Sequence, residues 1–335
     1  MKKILLFFLS LAVGIVLFFV VVKTVGWEEV KEALKIFTGW HGLLIILLSF
    51  LVVAVGTWRW KAILEDLDVR MPMRRLFGPY LAGFSLMFLI PVLIWGGETL
   101  RSYALKREHS ISWPKGMASV IIDRILEWSV NLVVILSGGL FFIFKMGLPS
   151  KELSIIFGAV FLVLFLFIFF FYFKSARKES IVRFFLFSRK NQPFEVEQEI
   201  YSFFRFRKIS AWKALGVSFL RAAIMGFRSW ILILFLGKSI AFMPVLSVLG
   251  FTYLAAMIPI PASLGSHEAI QTYAFGALGV GTAAATGFAM IIRTAELIVA
   301  LFGLVVLFRF GVSLIKNIFF KKLDSLVKNG DNNGI

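Results

Sequence analysis

The sequence predicts an all-α polytopic membrane protein. It is expected to be an inverted repeat of two halves, each with three spans and one re-entrant or broken-helix hairpin. Three observations lead there. First, the 335-residue chain is 59% hydrophobic and only 16% charged, where soluble domains run about 45–50% apolar and about 25% charged. Its mean hydropathy is +0.89. Second, the apolar residues fall in runs near or above the roughly 18 residues that mark a membrane span. Third, a set of charged residues, prolines and glycines recurs at constant spacing in the two halves.

Apolar segments lie at about 4–22, 41–60, 79–95, 116–144, 153–173, 213–237, 243–260 and 282–310. The first begins Met1-Lys2-Lys3 and stays apolar to Val22. That is longer than a signal-peptide core of roughly 7–15 residues, and no A-x-A-like site follows. It is expected to be retained as a span. The remaining segments are placed by charge. The chain carries 36 Lys and Arg against 19 Asp and Glu, a net charge of +17. Basic residues crowd 59–75, 101–115, 174–213 and the C-terminus, while 145–152 and 238–242 hold only Lys145, Lys151 and Lys238. Cytoplasmic loops collect Lys and Arg.

Eight simple spans would export the 174–213 loop, the most basic of all. If 79–110 enters and returns on the cytoplasmic side, and 243–279 on the outer side, every strongly basic loop becomes cytoplasmic. Both termini are then cytoplasmic, and the expected location is the cell membrane. The break points are Pro91–Gly97 and Pro259–Gly265. Helix breakers at membrane depth are tolerated where backbone is buried in protein or lines a wet cavity. The alternative is that 79–95 and 243–260 span fully and amphipathic helices carry the chain back.

The two break sites read "IPVLIWGGETLRSYAL" (90–105) and "IPASLGSHEAIQTYAF" (260–275). Around them Arg59 matches Arg228, Glu98 matches Glu268, Arg124 matches Arg293 and Glu127 matches Glu296. A constant offset across several pairs points to internal duplication. With three crossings per half, the second copy is expected upside down, the plan of many transporters with broken helices. The expected organisation is one transmembrane domain over 1–328, with repeats at about 1–150 and 151–315, a basic cytoplasmic loop at 174–212 and a disordered tail at 329–335.

Charge inside a bilayer costs about 2.5–3.5 kcal/mol per residue on insertion scales, so such residues pair or line a cavity. Arg124 and Glu127 are three apart and share a helix face, which Asn131 extends and Asp123 borders. Arg293 and Glu296 repeat the arrangement, and Arg221 and Arg228 share a face seven apart. These groups either lock helices as ion pairs or line a hydrophilic path. Glu98 and Glu268 open the return arms of the hairpins, where a carboxylate complements the helix dipole. The same helix starts, helped by Arg101 one turn after Glu98, would equally suit an anionic group such as phosphate. His267 is read as a hydrogen-bonded interior residue before a proton relay.

With no cysteine, disulfides, thiolate metal sites and Cys nucleophiles are excluded. No H-E-x-x-H, Walker, nucleophile-elbow or dinucleotide motif is present. Neither cofactor nor metal is expected, and no catalytic residue is assigned. "RFFLFSRK" and "YSFFRFRK" interleave basic residues with Phe, a composition suited to an interfacial helix on an anionic leaflet rather than to nucleic acid.

"GETLRSYAL" (97–105), "DRILE" (123–127) and "PIPASLGSHEA" (259–269) resemble motifs of the flippase-like transmembrane domain of lysylphosphatidylglycerol synthases. Standalone relatives form the UPF0104 family, with an archaeal glycosylation-associated branch. Two places depart from the pattern: Trp95 precedes the first Gly-Gly-Glu where arginine is frequent, and Ala262-Ser263-Leu264-Gly265 replaces a Gly-Gly-x-Gly break. The resemblance implies lipid translocation between leaflets. It implies a substrate site at Glu98, Arg101, Arg124, Glu127, Glu268, Arg293 and Glu296, to which Arg228, matched to Arg59 in the repeat, is added. A short polar stretch follows the last apolar segment, so no aminoacyl-transferase domain is expected. The expected substrate is a phosphate-bearing lipid, such as a phospholipid or a polyprenyl-linked glycolipid. The alternatives are an intramembrane transferase acting on a lipid-linked substrate and a non-transporting partner of a lipid-modifying enzyme. Expected partners are anionic lipids and the membrane, not nucleic acid. A homodimer and a separately encoded lipid-modifying enzyme are further candidates.

Overall fold

The computed structural model describes residues 37–90, 96–148, 151–177, 192–204, 209–258, 260 and 263–331, with isolated positions between 19 and 35. The first apolar run, Pro91–Trp95, Pro259 and Pro261–Ala262 lie outside the described residues, as do 178–191. Every regular element among the described residues is helical.

The chain runs through α1 (Trp40–Asp66), α2 (Met73–Leu89), α3 (Gly96–His109), α4 (Trp113–Met146) and α5 (Lys151–Arg177). It continues through α6 (Gln192–Phe203), α7 (Ile209–Phe235), α8 (Phe242–Ala256), α9 (Ser266–Ala277) and α10 (Thr282–Asp331). Five of these, α1, α4, α5, α7 and α10, are long and apolar enough to cross a membrane. The protein is therefore a polytopic α-helical membrane protein.

The hairpin arms are shorter. At 1.5 Å per residue, the 17 residues of α2 reach about 25 Å and the 15 of α8 about 22 Å. A hydrocarbon core is about 30 Å thick, so the helical part of each arm is shorter than that thickness. Each arm folds back on its partner, α2 on α3 and α8 on α9.

The helix starts keep the spacing read from the sequence. Trp40, Met73, Gly96 and Trp113 open α1 to α4, and Ile209, Phe242, Ser266 and Thr282 open α7 to α10, each 169 or 170 positions later. Contacts between helices also come in matched pairs. α2 lies on α10 as α8 lies on α4, and α3 on α4 as α9 on α10. At the centre α1 packs on α7. Arg59 Nη1 donates to Ser218 Oγ at 3.5 Å, and Arg228 Nη1 to Ser49 Oγ at 2.8 Å. Position 59 faces 218 while 49 faces 228, so the two helices run antiparallel.

Close approach is secured by one glycine at each of two matched interfaces. A side chain at Gly303 on α10 would strike Ser85 Oγ and the Leu81 carbonyl of α2. A Cβ at Gly138 on α4 would come 2.3 Å from the Leu246 carbonyl of α8. Small residues of this kind let membrane helices pack backbone to backbone. Apolar packing fills the rest, with Trp60, Ile63, Leu64, Ile122 and Leu126 buried at one end and Ile233, Val248, Phe275 and Phe288 at the other. α5 buries little and exposes Ile155, Val163, Phe169 and Phe170, a surface matched to acyl chains.

The segment expected to be a basic loop at 174–212 contains α6. Val196, Ile200 and Phe203 on it are buried against α4 rather than turned to a lipid surface. Three apolar residues at that spacing make one helical stripe, and the stripe finds protein. Helix α10 continues to Asp331, through the first positions of the stretch expected to be a tail.

Candidate functional site

Arg59 sits in the twentieth position of a 27-residue helix and is 1% exposed. The sequence reading had placed it in a basic cytoplasmic loop; the structure corrects this. Its Nε donates to Asp123 Oδ1 at 2.6 Å and its Nη2 to Glu127 Oε2 at 3.1 Å. Asp123 also accepts from Arg101 Nη1 through Oδ2 at 2.8 Å. Glu127 accepts from Arg221 Nη1 at 2.8 Å and from Arg124 Nη1 at 3.3 Å. Arg124 Nε donates to Glu98 Oε1 at 2.8 Å, and its Nη2 to the same oxygen. Thus α1, α3, α4 and α7 are joined by one network of four arginines and three carboxylates. Arg101 is further held between the rings of Trp60 and Tyr80, 4.8 Å from each centroid, a cation–π arrangement that is strong when desolvated.

The second half forms a smaller network. Arg228 Nη2 donates to Glu296 Oε1 at 3.0 Å, and Arg293 Nη1 to Glu296 Oε2 at 3.1 Å. Glu268 does not pair with arginine in the way Glu98 does. Its Oε2 accepts from the Gly265 N–H at 2.7 Å and closes the start of α9. So of two equivalent glutamates, one caps a helix and the other anchors an arginine. His267 is fully buried, and neither ring nitrogen has a hydrogen-bond partner, contrary to the sequence reading. Its ring stacks on Phe288, centroids 6.4 Å apart. Gln271, at the position matching Arg101, donates to Thr252 Oγ1 at 2.8 Å and to the Val248 carbonyl at 3.1 Å.

Both networks reach one cavity of about 210 Å³. Its charged lining is Arg101, Arg124, Glu127, Arg221, Arg293 and Glu296. Phe84, Met87, Phe88 and Ile260 supply much of the apolar wall. Of the residues singled out from the sequence, Arg101, Arg124, Glu127, Arg293 and Glu296 border this cavity. Glu98, Arg228 and Glu268 are buried behind it, at 1%, 2% and 1% exposure. Sequence reasoning did not assign Arg221, Arg59 or Asp123 to the site. Arg221 had a signal, its spacing of seven from Arg228; Asp123 had one too, its place beside the Arg124–Glu127 face. Arg59 had only its match to Arg228. Among the described residues, no group of three His, Asp or Glu side chains is placed to hold a metal ion.

The lining is chemically suited to an anion. Four arginines and two glutamates border it, and Arg101 Nη2, Arg221 Nε and Arg293 Nε are buried donors without an acceptor. Guanidinium groups match the geometry of phosphate and carboxylate oxygens.

Such a fold and cavity define a class: a polytopic membrane protein with an arginine-rich chamber of about 210 Å³ among its helices. The chain belongs to the lysylphosphatidylglycerol synthase TM region family, whose model matches residues 7–303. It is similar to a UPF0104 membrane protein of Pyrococcus horikoshii, 25% identical over 88% of this chain and 92% of the relative. A UPF0104 membrane protein of Methanocaldococcus jannaschii is 22% identical over 80% of this chain and 84% of its own length. A third, from Methanothermobacter thermautotrophicus, is 28% identical over 35% of each chain.

Proposed function

We infer that this protein moves a phosphate-bearing lipid, a phospholipid or a polyprenyl-linked glycolipid, from one leaflet to the other. The observation that carries the reading is the cavity itself: an arginine-dominated lining on helices that lie in the membrane. A headgroup taken from water loses its hydration, and paired guanidinium groups replace it. The tails stay in lipid while the headgroup passes. Arg101, Arg124, Arg221 and Arg293 meet the phosphate; Glu127 and Glu296 hold the arginines apart and in place. Glu98, Arg228 and Glu268 fix the geometry from behind.

An inverted repeat supports alternating access. The antiparallel packing of α1 on α7, in which Arg59–Ser218 and Arg228–Ser49 are counterpart contacts, is the pattern that a two-fold axis in the membrane plane would give. Two hairpins related in that way give the cavity equivalent gates toward each leaflet. The crowding of Lys and Arg at 174–213 supports the reading in which both termini are cytoplasmic, and the cell membrane is the location this reading assumes.

Purified protein in liposomes carrying a trace of fluorescent lipid tests this, with dithionite bleaching the outer leaflet. Lipid movement should bring the bleached fraction above the level of empty liposomes. A fraction equal to that of empty liposomes for every lipid tried refutes transport. A chemically altered lipid on chromatography would instead indicate an enzyme.

A further inference from the structure

We propose that Arg221 sets the charge of the headgroup this cavity accepts, and that the accepted group is a phosphodiester bearing one negative charge. The proposal rests on the transport reading above and specifies its substrate.

It follows from comparing the two halves position by position. Arg59, Arg124, Glu98 and Glu127 have their counterparts in Arg228, Arg293, Glu268 and Glu296. That shared set is neutral. The first half adds the ion pair of Arg101 and Asp123, 2.8 Å apart. At the matching positions stand Gln271 and Ile292. Both charges are absent there together, so this difference also leaves the sum at zero. What remains is Arg221, whose counterpart on α1 is the buried Val52. Among the described residues buried in the two networks, six arginines face five carboxylates. His267 is counted as neutral, as an unperturbed imidazole largely is at neutral pH.

The surplus is placed where a ligand would use it. Arg221 borders the cavity. Its Nη1 is fixed on Glu127 at 2.8 Å, and its buried Nε has no acceptor. Arg101 and Arg293 each bring one further buried N–H without an acceptor to the same lining. Three donors and one unbalanced positive charge fit a phosphodiester, whose two non-bridging oxygens share one negative charge. A phosphomonoester carries close to two charges at neutral pH and would leave the chamber negative. A zwitterionic headgroup brings no net charge and would leave the arginine uncompensated. An unbalanced charge in a low-dielectric site is costly either way.

The test uses the full-length protein in neutral liposomes with three fluorescent probes: phosphatidylglycerol, phosphatidic acid and phosphatidylcholine. The wild type should move phosphatidylglycerol at least about tenfold faster than the other two, the ratio that roughly 1.4 kcal/mol of discrimination gives. Arg221→Gln keeps a donor for Glu127 and removes the charge, and it should bring the three rates together. Arg221→Lys should keep the preference. Equal rates for the three lipids in wild type, or a preference that survives Arg221→Gln, overturn the proposal while leaving transport standing. Failure to move any of the three overturns the proposal; the transport reading falls with it only when a polyprenyl-linked glycolipid is not moved either. The wild-type comparison decides the matter even where Arg221→Gln does not yield folded protein.

Discussion

Asp123 holds two arginines at once, Arg59 at 2.6 Å and Arg101 at 2.8 Å. Asp123→Asn removes the charge that both guanidinium groups face. Breaking a buried pair on one side costs about 3–5 kcal/mol, because the abandoned charge stays buried. The internal comparison offers a repair. Arg228 manages with Glu296 as its one carboxylate, and Gln271 with Ile292 replaces the Arg101–Asp123 pair. The double variant Arg101→Gln, Asp123→Ile copies that arrangement into the first half and leaves Arg59 on Glu127. It should lose less thermal stability in detergent than Asp123→Asn alone. A double variant less stable than the single one would mean that the two halves do not tolerate the same solution.

At the level of helices, the contact of α2 with α10 depends on Gly303. Any side chain there meets the Leu81 carbonyl and displaces Ser85, whose Oγ donates to the Ala300 carbonyl at 2.7 Å. Overpacking typically costs about 1–3 kcal/mol. Gly303→Val should lower the melting temperature in detergent clearly, whereas Gly139→Ala on α4, which meets nothing within 4 Å, should be neutral or slightly stabilising. Equal effects would remove the close approach as an explanation. The sequence repeat does not mark this glycine. At the matched interface the tight glycine is Gly138 on α4, where a Cβ would come 2.3 Å from the Leu246 carbonyl of α8. It lies on the same partner helix as Gly303 but out of register with it: Val134 matches Gly303 and Leu307 matches Gly138. Helix existence, by contrast, was plain, because transfer from water acts on the whole apolar run; the segment expected at 213–237 is Ile209–Phe235. Arg59 was misjudged for the converse reason. An arginine near the end of an apolar run looks like a loop residue, and only its partner 64 positions away shows otherwise.

For the whole molecule, the two halves supply different shares of one site, and their relative orientation decides how it works. Were they parallel, the hairpins would open to the same leaflet and the cavity would have one mouth. The antiparallel contact of Arg59 with Ser218 and Arg228 with Ser49 argues for opposite orientations. The span assignment on which opposite orientation rests has a consequence that needs no substrate. α5 and α7 are consecutive long spans, so Arg177 at the end of α5 and Lys238 just after α7 must lie on opposite faces of the membrane. Met146, at the end of α4, must share the face of Lys238. Because the chain has no cysteine, single substitutions report without background. Arg177→Cys should resist a membrane-impermeant maleimide in intact cells and react after lysis. Lys238→Cys and Met146→Cys should react in intact cells. Labelling of Arg177→Cys from outside would reverse the assigned orientation, and labelling of Arg177→Cys and Lys238→Cys from the same side would break the inverted arrangement on which a two-sided passage depends.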